Sequence, residues 1–128
     1  MRIVEMEKPL ERAISSYIRE VYHYQLLEGA KPPGIQILND EQFRKHKVGS
    51  FKGFYDCEQN LIVLNAGPTI LGAKPSPKTI CHEIEHWGQC QIVGKIKYLE
   101  QLQDVKTFFE YEMSADAVAL ANWHKLKW

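Results

Sequence analysis

The stretch from Ser76 to Gly94, SPKTICHEIEHWGQCQIVG, constrains the fold more than any other part of the chain. Ser76 can accept from the first free amides of a helix, Pro77 suits the first helical position and Gly94 can close the last turn, so a helix is predicted over 77–93. At 100° per residue, His82 and His86 fall about 40° apart and one turn from each other, so both imidazoles can reach a single ion. Glu83 lies about 100° round, beside the two histidines and not between them, where it can hold a proton of an activated water. Ile80, Ile84, Trp87 and Ile92 take the opposite face, the predicted buried back of the helix. Such a helix needs apolar elements behind it and a cavity in front.

With 128 residues, 45% of them apolar, the chain is the length of one domain with one modest core. From Pro9 to Leu27, apolar residues at Leu10, Ile14, Tyr17, Ile18, Val21 and Leu26 recur at helical spacing, which predicts an amphipathic helix starting at Pro9 and ending at Gly29. KPPG breaks the chain and GIQILN has the look of a short strand. Asp40 is placed to cap a brief helix through Phe43 and Lys47, with a loop as the alternative. SFKGFYDC and LIVLNA, separated by a turn at Glu58 to Asn60, predict a β-hairpin. Pro68, Gly72, Pro75 and Pro77 mark a loop, and Lys95 to about Trp123 is helical in pattern with a break expected near Asp104. The expected fold is therefore α+β, with an N-terminal backing helix, a sheet of about three strands, the histidine helix and a last helix.

Sixteen basic residues balance sixteen acidic ones, so charge favours neither nucleic acid nor an anionic membrane as a partner. MRIVEMEKPLERA lacks the apolar core of a secretion signal, and NLIVLNAGPTILGA is interrupted well short of a membrane span. Cys81 and Cys90 lie about 13 Å apart on the predicted helix, too far for a disulfide, and the three cysteines are read as reduced thiols. These readings predict a soluble cytoplasmic protein with no membrane span.

An ion held by two histidines needs at least one further protein ligand. Glu112 and Asp116 fall within about 60° of Val105, Phe108, Phe109, Ala119, Leu120 and Trp123 on a helical wheel, in the middle of an apolar stripe. A carboxylate buried there costs several kcal/mol unless a metal, a histidine or both meet it, so the third ligand is expected from the pair Glu112 and Asp116. Ser114, Ala115 and Ala117 are small enough for this helix to approach the histidine helix closely. Glu100, Asp104 and Glu110 project toward solvent. Cys90 continues the series i, i+4, i+8, but three ligands strung along one straight helix span roughly 12 Å, so Cys90 and Cys81 are read as small buried residues. His23 and His46 have no ligand-like spacing and are assigned packing or surface roles.

HEIEH at 82–86 followed by EMSAD at 112–116 resembles the signature of the gluzincin zinc metallopeptidases, and the order of elements is similar to that of the minigluzincins, the abylysin and jannalysin group, over nearly the whole chain. The resemblance implies a single minimal peptidase domain over 1–128. It implies Zn2+ held by His82, His86 and Glu112, with Glu83 as general base and Asp116 hydrogen-bonded to a zinc-binding histidine, His82 by preference. It implies an edge strand along the cleft, expected at Leu61, Ile62, Val63, Leu64 and Asn65, that receives a peptide or protein substrate. Gluzincins add a His or Tyr that steadies the oxyanion, and Tyr55, Tyr98, Tyr111 and His124 remain open for that role. The family also implies latency: residues from about Ala121 onward are expected to fill the cleft, within a monomer or by exchange in a tail-swapped dimer, with His124 or the terminal carboxylate of Trp128 near the zinc. The apolar Trp123, Leu126 and Trp128 suit a packed tail. The rival reading is a non-catalytic interaction module stabilised by zinc, which would call for four protein ligands where three are visible.

Overall fold

Met6 and Leu10 stand one helical turn apart and both are buried, so the amphipathic face continues ahead of Pro9. Helix α1 accordingly spans Ile3–Leu27 with Pro9 inside it, where the expected start was Pro9 itself. This computed structural model describes residues 3–27, 29–46, 48, 50, 52–68 and 74–128. The expected roles of Lys47 and Gly72, and the side chain of His23, lie outside what is described. His46 packs its ring against Phe54 at 5.2 Å.

Strand β1 (Gly34–Leu38) turns Ile35 and Ile37 to the core. Helix α2 (Asp40–Arg44) is capped by Asn39 and not by Asp40: the Asn39 side chain accepts from Gln42 N at 2.9 Å, and Gln42 Oε1 accepts from Asn39 N at 3.2 Å. This reciprocal pair satisfies two donors at once, which places the cap one residue earlier than expected and leaves Asp40 to pair with Arg44 at 2.9 Å. Strands β2 (Gly53–Asp56) and β3 (Leu61–Asn65) form the expected hairpin. Its turn contains Asn60 at φ 53°, a left-handed conformation that asparagine tolerates, and Asn60 Nδ2 donates to the carbonyls of Lys31 and Pro32.

The strand order is β1-β3-β2, with β1 parallel and β2 antiparallel to β3. Leu61, Ile62, Val63, Leu64 and Asn65 therefore form the central strand, and the expectation that they line the cleft as an edge is wrong. Both edges of β3 are occupied, and its three consecutive buried residues match a strand covered on both faces. The edge next to the histidine helix is β2.

Helix α3 (Pro77–Val93) is framed as its sequence predicts: Ser76 Oγ accepts from Lys78 N at 3.2 Å, and Gly94 takes φ 92°. Ile80, Ile84 and Trp87 are fully buried, whereas Ile92, expected on the same face, is 72% exposed in the last turn, past the sheet. The chain then forms α4 (Lys95–Gln101) and α5 (Val105–Asn122), and the break at Asp104 is a cap in which its Oδ2 accepts from Thr107 N at 3.0 Å. A 3-10 turn over Trp123–Lys125 follows. The molecule is thus a mixed α+β domain in which α1 and α3 pack on the sheet and α5 packs on α3. Among the described residues, no helix is long and apolar enough to cross a membrane.

The expectation of three reduced thiols is overturned, and the tail of this chain packs on its own core. Cys57, at the end of β2, is joined to Cys90 of α3 in a disulfide with a Cα–Cα distance of 6.2 Å. Cys81 and Cys90 are too far apart on one helix to pair, but the hairpin folds Cys57 into reach of Cys90, so the cysteines are not all reduced thiols and do not speak for the cytoplasm. Cys81 is the free, buried thiol. Residues 121–128 do not enter the cleft of this chain: Leu126 is buried in the main core, and Trp128 packs against that core with Lys74 Nζ 4.9 Å from its ring. Burial of Leu126 in the main cluster gives the apolar tail a partner in the domain itself.

Candidate metal centre

The burial of Ile80, Ile84 and Trp87 fixes the rotation of α3 and turns His82 and His86 outward toward α5. On α5, Ala115 and Ala119 are the buried positions, and their small side chains let the two helices approach closely. The apolar stripe expected around Glu112 is not covered by the chain: Val105 is 70% exposed, Phe109 57% and Leu120 67%. Helix α5 meets α3 along one narrow row, so a broad arc of apolar residues on the wheel overstates its contact. Ser114 and Ala117, expected at the contact, are exposed, as are Glu100, Asp104 and Glu110.

The row that does make contact brings Glu112 to both histidines. Glu112 Oε1 lies 2.9 Å from His86 Nε2 and Oε2 lies 3.2 Å from His82 Nε2, while the two Nε2 atoms are 3.0 Å apart. One atom from each of the three residues falls within 4.8 Å of the others, and the group can hold a metal ion.

The outer nitrogens explain why the inner ones converge. His82 Nδ1 lies 2.7 Å from Asp116 Oδ1, and a carboxylate can only accept there, so Nδ1 carries the proton. His86 Nδ1 lies 2.8 Å from Gln89 Oε1, and Gln89 Nε2 donates to the Tyr111 carbonyl at 3.0 Å, which orients the amide with its oxygen toward the histidine. Tyr98 Oη donates to the same Gln89 oxygen at 3.3 Å. With both Nδ1 atoms protonated, the neutral rings turn two lone pairs toward each other beside a carboxylate. That arrangement repels itself unless a proton or a cation sits among the three groups, which is the condition of a coordination site.

Electrostatics without a metal agree with this reading. Burial disfavours the charged form of His82, yet its hydrogen bond to Glu112 and the charges of Glu83, Glu112 and Asp116 raise its pKa to about 9. His86 is raised too, against its burial, by the bonds to Glu112 and Gln89 and by the Glu83 charge. Hydrogen bonds from His82 and His86 hold Glu112 well below the usual carboxylate range. Glu83 is nearly buried at 6% exposure, and burial pushes its carboxyl pKa up against the pull of the two histidines.

Glu83 lines two chambers that meet at the centre, of about 510 and 500 Å³. Strand β2 lines the first through Gly53, Phe54 and Tyr55, and Lys52, the residue ahead of it, lines the second. Gly53 permits this, because a Cβ there would come within 3.0 Å of Val63 O and of Leu64 Cδ2, and 3.6 Å from Thr79 of α3. The Lys52 carbonyl accepts from Asn65 N at 2.9 Å, so the alternation of an antiparallel ladder points the Gly53 and Tyr55 backbone groups away from β3.

Of the residues singled out in the sequence, His82, Glu83, His86, Glu112 and Asp116 come together here. Leu61 to Asn65 lie behind β2, and His124 and Trp128 line neither chamber. Among the tyrosines left open, Tyr55 and Tyr98 line the first chamber, with the Tyr55 hydroxyl engaged by Asn60 at 2.7 Å, and the Tyr111 hydroxyl donates to Gln101. Gln89 was missed, although its position three residues after His86 on the same helix was a usable signal. Compared with known proteins, the chain matches no family model, no curated protein and no solved structure.

Proposed function

We propose that this protein is a zinc-dependent peptidase of the minigluzincin kind. The observation that carries the reading is the convergence of His82 Nε2, His86 Nε2 and a Glu112 oxygen beside a nearly buried Glu83 at the floor of an open cleft. Three donors of the N, N, O type suit zinc. Their separations of 2.9, 3.0 and 3.2 Å approach the roughly 3.4 Å expected between tetrahedral ligands at zinc distances. When bound, zinc supplies a water acidified to a pKa of about 7 and polarises the scissile carbonyl.

The chain's own residues do the rest. Asp116 and Gln89 hold the imidazoles in the tautomer that leaves Nε2 free to bind. Glu83 takes the proton of the attacking water and passes it to the nitrogen of the leaving amine, and the burial that raises its carboxyl pKa makes it a better base for the first transfer. An extended peptide adds to β2 through the outward backbone groups of Tyr55 and the carbonyl of Gly53, whose N–H donates to Ser50 Oγ at 3.4 Å, and such backbone contacts read length and direction more than side-chain identity. A structural zinc would call for a fourth protein donor, and among the described residues three converge.

The test is zinc content and peptide cleavage in the wild type and in Glu83→Gln. Retained zinc with cleavage reduced by a factor of about 100 or more is expected. Undiminished cleavage in the variant would overturn the mechanism, and absence of zinc from both proteins would overturn the centre.

A further inference from the structure

The two chambers that meet at the centre differ in chemistry. One is walled by Phe54, Leu102, Phe108 and the ring of Tyr98. The other holds Lys52 and Lys78, with Thr79 and Leu120. Ser50, His82, Glu83 and Glu112 belong to both, so a bond presented to the centre has its two flanking side chains in different chambers.

The acids of the second chamber are already committed. Glu112 contacts both histidines, Asp116 accepts from His82 Nδ1, and Glu83 stands at the boundary. Neither lysine is in an ion pair among the described residues, and the Lys78 ammonium lies 5.8 Å from the Trp123 ring centre. Two exposed lysines without an ion pair, one ahead of β2 and one in the first turn of α3, border this chamber and attract an anion toward it. In the first chamber Phe108 remains 41% exposed, a cost that a large apolar ligand side chain would remove.

Direction follows from β2. The chain leaves the lysine chamber at Lys52, just ahead of β2, and the strand enters the apolar one at Phe54 and Tyr55. A segment added antiparallel to it crosses the apolar chamber first.

Building on the peptidase reading, we propose that the cleft selects segments with an aromatic or large aliphatic side chain before the cleaved bond and an acidic side chain after it. Phe54 and Phe108 determine the first preference, and Lys52 and Lys78 the second.

The test uses zinc-loaded protein and peptides of one flanking sequence that carry Phe–Glu, Phe–Lys, Ala–Glu or Glu–Phe at the centre. Cleavage is measured with the wild type, and binding with the Glu83→Gln variant. Phe–Glu is expected to lead the other three by about tenfold in both measurements, or about 1.4 kcal/mol. Lys52→Glu with Lys78→Glu should shift the preference to Phe–Lys, and Lys52→Ala with Lys78→Ala should abolish it. Equal treatment of Phe–Glu and Phe–Lys, a lead for Glu–Phe, no binding of any peptide, or an unchanged preference in both double variants would overturn the proposal. Selective binding without cleavage would reject the peptidase reading and retain this one, and unselective cleavage would do the reverse.

Discussion

Each histidine of the centre is held by its outer nitrogen, and that is where single residues can be tested. Asp116→Asn keeps the shape of the contact to His82 but no longer demands a proton on Nδ1, and Gln89→Ala removes the acceptor from His86. Metal affinity is expected to fall about 10–100-fold in either variant, read by competition with a chromophoric chelator. Unchanged affinity in both would show that the outer bonds do not set the site. The same residues set a pH dependence. In the metal-free protein His82 is raised from 6.5 to about 9, so its contribution to stability is complete below about 6.5 and is lost as pH rises through about 9. Glu112 is lowered from 4.5, so its contribution is present above about 4.5 and is lost as pH falls through its low folded value. The pair therefore stabilises the metal-free fold most between about pH 4.5 and 6.5. A metal ion competes with these protons, so metal affinity should climb as pH rises toward 9, with proton release visible by calorimetry in buffers of different ionisation enthalpy. Uptake without proton release would contradict the protonated pair.

At the scale of elements, β2 is tied to α3 by contact and by a covalent bond. Gly53→Ala puts a Cβ within 3.0 Å of a backbone oxygen of β3, and the strand must shift to accommodate it. A loss of about 1–3 kcal/mol in urea unfolding is expected, with a larger effect for Gly53→Val. An unchanged midpoint for both would mean that the close approach is not needed. The Cys57–Cys90 disulfide closes a loop with a sequence separation of 33. Reduction, or Cys57→Ser, should cost about 2–4 kcal/mol. Equal unfolding midpoints with and without a reductant would show that the bond does not hold the fold. The elements themselves were largely legible in the sequence, because helix caps and hairpin turns are local. Asp104 was legible as a break, and Ser76 and Gly94 as the ends of α3.

For the whole molecule, the C-terminal segment closes the core. Leu126 is 6% exposed within the main cluster, and Leu126→Ala should cost about 2–4 kcal/mol. Truncation after Trp123 should lower thermal stability without raising peptide cleavage. A more active truncated protein with an unaltered melting temperature would return the tail to the inhibitory role that the family resemblance implies.

The sequence by itself determined what depends on neighbours in the chain: the caps of α3 and α5, the spacing that puts His82 and His86 on one face, and Glu83 beside them. It also pointed to Glu112 and Asp116, although the apolar stripe used to argue for them lies largely in solvent. Tertiary structure alone decided strand order, because β1 and β2 compete for β3 and nothing local records which edge each takes. The unbroken apolar run of β3 was a sign of a central strand, and chain order was the wrong guide. Tertiary structure also decided the pairing of Cys57 with Cys90 and the docking of Leu126, since both join residues far apart in sequence whose distance is set by packing. The histidine pair was readable because a helix imposes its own geometry, and the edge strand beside it was not, because a sheet edge exists only after the strands have assembled.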